Sequence, residues 1–155
     1  MTRLTVPVKL RWSDIDGYGH VNNAAVLTLL EEARIAVFWT GSDDDGSGAG
    51  GKVLASGPGA DTATFIAHQE IEYAAPLEYS TAPLQVELWL ARMGGASIDV
   101  CYEVPGGDGV AVRAMTTLVL VDPATGRPRR ITDEERAAWS DLVEEPVKFR
   151  RSLSR

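Results

Sequence analysis

The chain begins with a stretch in which apolar and polar residues alternate, followed by a stretch with a helical repeat. Residues 5–12 alternate with a period of two, which predicts a half-buried strand, and Pro7 favours an edge position for it. The apolar positions of this strand are Val6, Val8, Leu10 and Trp12. After a turn-rich segment, apolar residues recur every three or four positions to about Trp39, with Asn22 or Asn23 as the N-cap. This predicted helix is apolar on nearly every side, which is typical of a buried helix.

Four further strands are predicted after a loop. Residues 41–61 are rich in glycine and aspartate and predict a loop without the ligand spacing of a calcium site. In the strand that follows, Phe65, Ile71 and Tyr73 fall on the apolar face and His68 on the polar face, where a structural or solvent-facing role is expected. Since short turns separate the strands, the sheet is expected to be antiparallel. The four strands are predicted at residues 64–73, 84–91, 98–104 and 110–121.

The C-terminal part predicts a short helix and a basic tail. Thr132 and Glu135 have the spacing of a capping box, for a short helix through Trp139 and Leu142. Residues 1–145 are expected to form one domain, and the basic tail at 146–155 is expected to be frayed. The order of elements predicts an α+β fold with one long central helix, a five-stranded antiparallel sheet and a short C-terminal helix. Because one helix leaves sheet edges uncovered, dimerisation through an edge is expected.

The composition excludes several classes of protein. With 15 basic and 22 acidic side chains the net charge is −7, which does not suit general nucleic-acid binding. Basic residues are concentrated at and beyond Arg127, which leaves room for a local basic patch. Cys101 is the only cysteine, so no intramolecular disulfide can form, and a core position is expected for it. No stretch has the apolar length of a signal peptide or membrane span, which favours a cytoplasmic protein without membrane contact.

Candidate chemistry is concentrated between the first strand and the first helix. Residues 12–23 contain Asp14, Asp16, His20 and two asparagines, together with two glycines that permit tight turns. The first turn of the helix presents unpaired N–H groups and the positive end of the helix dipole. Such donors polarise an acyl carbonyl, and a neighbouring carboxylate acts as base toward water or as nucleophile. A thioester suits this site because a thiolate, with a thiol pKa of about 8.5, leaves readily.

Two other interpretations of this segment stay open. Asp14 and Asp16 could simply form turns and caps before the helix, as aspartate commonly does. A metal site on Asp14, Asp16 and His20 has suitable ligand types, but three ligands on one tight turn without a distant fourth disfavour it. No metal or other resident cofactor is therefore expected.

The same segment resembles a motif of a known family. Residues 11–23, RWSDIDGYGHVNN, and 30–34, LEEAR, resemble the pattern D-x-D-x-x-x-H-V-N-N leading into a helix with L-E-E-A-R. This is the pattern of the 4-hydroxybenzoyl-CoA thioesterase-like family of hotdog-fold acyl-CoA thioesterases. Together with matches at 71–76, 92–97 and 118–128, the resemblance covers residues 6 to about 140. It implies a hotdog fold, in which the sheet wraps the helix, and homodimers, often paired into homotetramers, with active sites at the subunit interface.

The resemblance also implies roles for single residues of the motif. Asp16 matches the catalytic carboxylate, and the backbone N–H of Asn23 matches the donor that polarises the thioester carbonyl. His20 and Asn22 lie within the motif and are implied to shape the pocket or to orient water.

Further positions follow from the same resemblance. Glu31 matches a helix glutamate, for which a structural pair with Arg34 is favoured, and Val26 stands where relatives commonly have an aromatic residue. Arginine suits forked hydrogen bonding to phosphate, although exposed basic residues can also serve solubility alone. The residues at turns where the family tends to hold the nucleotide of coenzyme A are Arg92, Ser97, Arg127, Arg129 and Arg130.

The predicted function is an acyl-CoA thioesterase that releases a free acid and coenzyme A, with coenzyme A present only as part of the substrate. One alternative is a non-catalytic acyl-CoA-binding protein, and another is a thioesterase acting on acyl-carrier-protein thioesters. A hotdog hydratase would need a histidine paired with a carboxylate at the acyl chain, and neither His20 nor His68 has that context. The acyl group, and the choice between base and nucleophile for Asp16, stay open.

Overall fold

One antiparallel sheet forms the body of the protein. The structure is a computed structural model that describes residues 2–39, 54 and 59–151. Its strands are β1 (Leu4–Val8), β2 (Ala63–Tyr73), β3 (Leu84–Met93), β4 (Ser97–Gly106) and β5 (Gly109–Val121). Its helices are α1 (Asn23–Phe38) and α2 (Asp133–Trp139), with short 3-10 turns at Trp12–Asp14 and Ser140–Leu142. None of the helices in these described ranges is long and apolar enough to cross a membrane.

The strand order is β1-β3-β4-β5-β2, and every pair is antiparallel. This confirms the predicted α+β class, the five-stranded antiparallel sheet and the edge position of β1. The helix α1 has 16 residues, which span about 24 Å. The longest strand, β5, has 13 residues and spans about 44 Å. The prediction of one long central helix is thus corrected, because α1 is only about half as long as β5.

One side of α1 packs on the sheet and the other does not. Phe38 meets Trp139 of α2 edge to face, with 5.6 Å between ring centroids, which ties the two helices together. Ile35 and Ala36 are exposed, so the prediction of a helix buried on nearly every side is wrong. The reason is that the sheet contacts a single side of α1. The apolar residues on that buried side are Val26, Leu29, Leu30, Ala33, Val37 and Phe38.

Two aromatic residues that were predicted to face the core lie outside it. The strand β1 ends well before Trp12, which lies in a 3-10 turn and is 78% exposed, against Tyr79. Phe65 of β2 is 63% exposed. The cause is a bulge between Ile66 and His68, which reverses the alternation of side chains along the strand. His68 is exposed, in agreement with its predicted polar position.

The chain after α2 crosses the outer face of the sheet, opposite α1. There Val147 and Phe149 pack against Trp89 and Cys101. Cys101 is buried as predicted, and burial raises the pKa of its thiol to about 11. The tail shields the apolar side chains of this outer face from water. The tail therefore lies on the sheet as far as Arg151 rather than being frayed.

The predicted loop and the predicted second helix have different outcomes. Most of the loop at 41–61, and the last four residues of the tail, lie outside the described residues. Within the loop, Leu54 is buried and its N–H donates to the carbonyl of Phe38 at 3.0 Å. The capping box of α2 is confirmed, since Thr132 and Glu135 exchange hydrogen bonds of 3.0 and 3.1 Å.

Candidate active site

The segment between β1 and α1 contains two aspartates with different surroundings. The first, Asp14, is buried, and its carboxylate accepts the backbone N–H of Arg11 at 2.8 Å and the guanidinium at 2.9 Å. These bonds from Arg11 hold the pKa of Asp14 below its usual range. The Asp14 carbonyl accepts the N–H of Asn22 at 2.7 Å, which ties the start of the segment to its end. Asp14 therefore holds the turn together and is already paired.

The second aspartate, Asp16, lies in a tight turn that fixes one of its carboxylate oxygens. Its Oδ1 accepts the N–H groups of Tyr18 at 2.8 Å and His20 at 3.2 Å. Its own N–H donates to the His20 carbonyl at 2.8 Å. Gly19 completes the turn with a φ of +80°, which glycine adopts without strain. Oδ2 has no hydrogen-bond partner in the part of the chain that the structure describes, so Asp16 presents one free oxygen from a fixed position.

The helix α1 begins beside this turn with one unpaired N–H group. Its N-cap is Asn22, whose Oδ1 accepts the N–H groups of Ala24 at 2.8 Å and Ala25 at 3.4 Å. The Asn22 carbonyl accepts the N–H of Val26 at 3.1 Å. The remaining N–H of the first turn, on Asn23, has no acceptor among the described residues. A free N–H at the positive end of a helix suits a carbonyl oxygen or an anion.

A cavity of about 610 Å³ brings these groups together. All four residues predicted to be catalytic lie on its wall, namely Asp16, His20, Asn22 and Asn23. Asp14 is absent from that wall, which agrees with its role in the turn. The rest of the wall is mainly apolar and includes Val26, Val112 and the segment 74–77. The cavity therefore combines polar groups that can act on a carbonyl with a surface that can hold an acyl group.

Backbone hydrogen bonds hold the segment after β2 against the site. The N–H groups of Ala74 and Ala75 both donate to the carbonyl of Ala111, at 2.7 and 3.2 Å, which bends the chain around the cavity. The N–H of Val21 donates to the carbonyl of Leu77 at 2.7 Å. Main-chain bonds thus connect the segment after β2 both to β5 and to the segment that precedes α1.

Tyr73 belongs to the site although nothing in the sequence marked it. It was placed only as an apolar residue of a strand, but its hydroxyl donates to the carbonyl of Asn23 at 2.6 Å. Desolvation raises the pKa of Tyr73. The two residues are far apart in the chain, so no local spacing could have indicated the contact.

The residues predicted to hold the nucleotide of coenzyme A lie at the other end of the sheet. Ser97 pairs with Val119 of β5, and the Arg129 N–H donates to the carbonyl of Leu120 at 2.9 Å. On the same strand, Val112 lies on the cavity wall. The distance along β5 from Val112 to Val119 is about 23 Å at the usual rise per residue. Within one chain, the structure does not bring these residues to the cavity.

The predicted basic residues also differ in whether they already form ion pairs within the chain. Arg129 binds the carboxylate of Glu135 through two hydrogen bonds, of 2.6 and 2.9 Å. Arg92 lies 3.5 Å from a neighbouring carboxylate on β4. Arg127 and Arg130 are exposed and have no ion pair among the described residues. These two arginines are therefore the ones available to bind a phosphate.

The predicted pair between Glu31 and Arg34 is present, with 3.1 Å between the charged atoms. Arg34 is buried, and its Nη1 lies 3.5 Å from the hydroxyl of Tyr102. Glu31 does not line the 610 Å³ cavity. A structural position on α1 is thus what the geometry supports for this glutamate.

A metal site is not formed by the described residues. Within them, no group of three or more His, Cys, Asp or Glu side chains could hold a metal ion. The site considered for Asp14, Asp16 and His20 is not assembled, because Asp14 is taken up by Arg11.

Comparison with known proteins identifies the family. The profile of the thioesterase-like superfamily matches residues 10–145. The chain belongs to this superfamily. The match confirms the predicted family, that of hotdog-fold thioesterases, and superfamily membership supports a thioester hydrolase activity. The matched range contains the turn with Asp16 and the whole of α1. No curated protein matches the sequence.

Solved structures of proteins described as thioesterases resemble this chain over most of its length. A predicted thioesterase from Bacillus stearothermophilus aligns with a TM-score of 0.75 at 24% identity, over 94% of this chain and 100% of that one. A proposed thioesterase from Pseudomonas aeruginosa aligns with a TM-score of 0.68 at 30% identity, over 88% and 98%. A thioesterase from Thermus thermophilus, in complex with coenzyme A and zinc, aligns with a TM-score of 0.64 at 25% identity, over 90% and 92%.

Proposed function

We propose that the protein hydrolyses an acyl-CoA thioester to a free acid and coenzyme A. One observation carries the proposal: the free oxygen of Asp16 and the unpaired N–H of Asn23 belong to residues on the wall of one cavity. Backbone contacts hold both groups before any substrate binds, and donors arranged in advance are the usual source of electrostatic catalysis. Membership of the thioesterase-like superfamily supports the same reaction class.

In the proposed reaction, Asn23 and Asp16 act on opposite sides of the thioester carbonyl group. The Asn23 N–H donates to the carbonyl oxygen and stabilises the negative charge that develops there, helped by the helix dipole. Asp16 either takes a proton from the attacking water or attacks the carbonyl carbon itself. In the water route, the hydroxide adds to the carbon, the C–S bond breaks, and the proton held by Asp16 passes to the leaving thiolate. A strong general acid is not required because a thiolate leaves readily.

Asn22 and His20 support these groups. The side-chain oxygen of Asn22 is used by the cap of α1, so Asn22 fixes the helix N-terminus from which the Asn23 N–H projects. The backbone N–H of His20 helps to fix Asp16, and its side chain is proposed to shape the pocket or orient water.

The nucleotide of coenzyme A is proposed to bind across a subunit interface in a homodimer. The edge strand β2 exposes Phe65, and Ile35 of α1 is exposed as well. Antiparallel pairing with β2 of a second copy would place the far end of the partner's sheet beside Tyr73. Arg127 of the partner subunit and Arg130 of the partner subunit would then lie near the cavity that Tyr73 lines. The Thermus thermophilus relative, which was solved with coenzyme A, supports this class of substrate.

The test is thiol release, followed with a thiol-reactive chromophore, on short, medium, long and aromatic acyl-CoAs. Cys101 should contribute little background, because it is buried and its thiol pKa is about 11. Turnover on one or more acyl-CoAs is the expected result. Binding without turnover would overturn the hydrolase and favour an acyl-CoA-binding protein, whereas turnover only on acyl-carrier-protein thioesters would replace the proposed substrate.

A further inference from the structure

Tyr73, the last residue of β2, connects the sheet to the first turn of α1. Its hydroxyl donates to the carbonyl of Asn23 at 2.6 Å. Its backbone is held by pairing with Val112 of β5, and Tyr73 lies on the cavity wall. Because Tyr73 is 45% exposed, water could satisfy its hydroxyl if Asn23 did not. The bond is therefore not needed to satisfy a buried polar group. Its effect is to hold the Asn23 carbonyl, and with it the first turn of α1, in place.

The bond holds one peptide group at both of its ends. The carbonyl of Asn23 accepts from Tyr73, and the N–H of the same peptide group, on Ala24, donates to Oδ1 of Asn22 at 2.8 Å. A planar peptide held at both ends cannot rotate freely. The unpaired Asn23 N–H belongs to the preceding peptide group and is joined to the held one through a single Cα. Fixing one peptide therefore restricts the direction of the other.

We propose that Tyr73 is a positioning residue: its hydroxyl holds the first turn of α1 so that the Asn23 N–H stays aligned with the thioester carbonyl beside Asp16. This inference rests on the proposed thioesterase function. Alignment matters most in the transition state, where the carbonyl oxygen carries negative charge and the hydrogen bond to it is strongest. Loss of the hydroxyl is thus expected to lower kcat while KM changes little.

The ionisation of Tyr73 is compatible with this role. Desolvation raises its pKa above the ordinary tyrosine value. The hydroxyl consequently keeps its proton, and remains a donor to the Asn23 carbonyl, at every pH at which thioester hydrolysis is normally assayed.

The test compares Tyr73→Phe with the wild type and with Tyr79→Phe as the matched control. Phenylalanine keeps the ring and removes only the hydroxyl. Tyr79 is another partly exposed tyrosine, which packs on Trp12 and does not line the cavity. For Tyr73→Phe we expect kcat to fall about tenfold, with KM and the affinity for a non-hydrolysable acyl-CoA analogue within about twofold of wild type. Tyr79→Phe should match the wild type in all three quantities.

Amide hydrogen exchange supplies a readout that does not depend on turnover. In Tyr73→Phe, the amides of Ala24 and Ala25 should exchange several-fold faster, while amides in the middle of α1 keep their protection. Unchanged kcat, a rise in KM without a change in kcat, or unchanged exchange would each overturn the inference. If the wild type hydrolysed no thioester, the proposed function would fail and the positioning role with it, but faster exchange would still show that Tyr73 holds the helix turn.

Discussion

Arg11 occupies both carboxylate oxygens of Asp14, one through its backbone N–H at 2.8 Å and the other through its guanidinium at 2.9 Å. Two residues further along, Asp16 has one oxygen held by the turn and one free. Both aspartates belong to the same sequence motif, but the structure shows that their carboxylates have different hydrogen-bond partners. One carboxylate stabilises the loop and the other is available on the cavity wall.

The first prediction compares the two carboxylates by activity. Asp16→Asn should fold and bind acyl-CoA but lose about 10²-fold or more in kcat, because an amide is neither a base nor a nucleophile. Asp14→Asn should lower kcat by less than about tenfold, since Asp14 acts only through the shape of the turn. Steady-state kinetics, with binding of a non-hydrolysable analogue as the control for folding, measures both. Equal losses in the two variants would contradict the assignment of Asp16.

The second prediction concerns acid stability and Asp14. Hydrogen bonds from Arg11 lower its pKa in the folded protein, below the value of about 3.9 expected in the unfolded chain. The pair therefore stabilises the fold fully above that unfolded value, and this stabilisation is lost as pH falls through the folded pKa. Asp14→Asn should melt at a lower temperature than wild type at neutral pH, and the difference should shrink as the pH falls below the unfolded value of about 3.9 and through the lower folded pKa.

Thermal unfolding at a series of pH values measures this effect. Asp108→Asn, a change at an exposed residue of the turn between β4 and β5, is the matched control. The difference in melting temperature between this variant and wild type should be the same at all pH values. If the difference in melting temperature between wild type and Asp14→Asn did not vary with pH, the ion pair with Arg11 would not stabilise the fold.

The parts of the fold that the sequence predicted depend on local signals. The cap at Asn22 and the capping box of Thr132 and Glu135 are both set by residues within one helical turn, and both are present. Hairpin turns and alternation likewise predicted the antiparallel sheet. The family resemblance singled out Glu31, and helical spacing favoured its pair with Arg34, which is present.

The features that were missed depend on contacts between distant parts of the chain. The bulge next to Ile66 reverses the faces of β2, and nothing in the local alternation marks it. The tail lies on the sheet because Val147 covers Trp89, a contact that no tail composition predicts. The bond between Tyr73 and Asn23 requires the end of β2 to meet the start of α1, which is known only once the fold is known.

The third prediction concerns the basic residues beyond β5. It separates phosphate binding, proposed for Arg127 and Arg130, from the structural ion pair of Arg129. Arg127→Ala and Arg130→Ala should each raise KM for acyl-CoA about tenfold, because each removes a charged hydrogen bond to phosphate. The same variants should leave KM unchanged for the corresponding acyl-pantetheine, which has no nucleotide. Arg129→Ala should instead lower the melting temperature, since Glu135 loses the partner that lowers its pKa against the effect of burial. A similar KM change on both thioesters would contradict a nucleotide site.

The last prediction decides what Asp16 does. Two backbone N–H groups hold Oδ1 of Asp16 in the turn, while Oδ2 is free to take a proton from a water molecule. We therefore expect the water route. In a single turnover in ¹⁸O-labelled water with enzyme in excess, the released acid should carry the label. The tryptic peptide 12–34, which contains Asp16, should keep its mass. Rapid quenching followed by intact-mass measurement should show no acylated protein, and label in the peptide or an acyl adduct at Asp16 would instead establish direct attack.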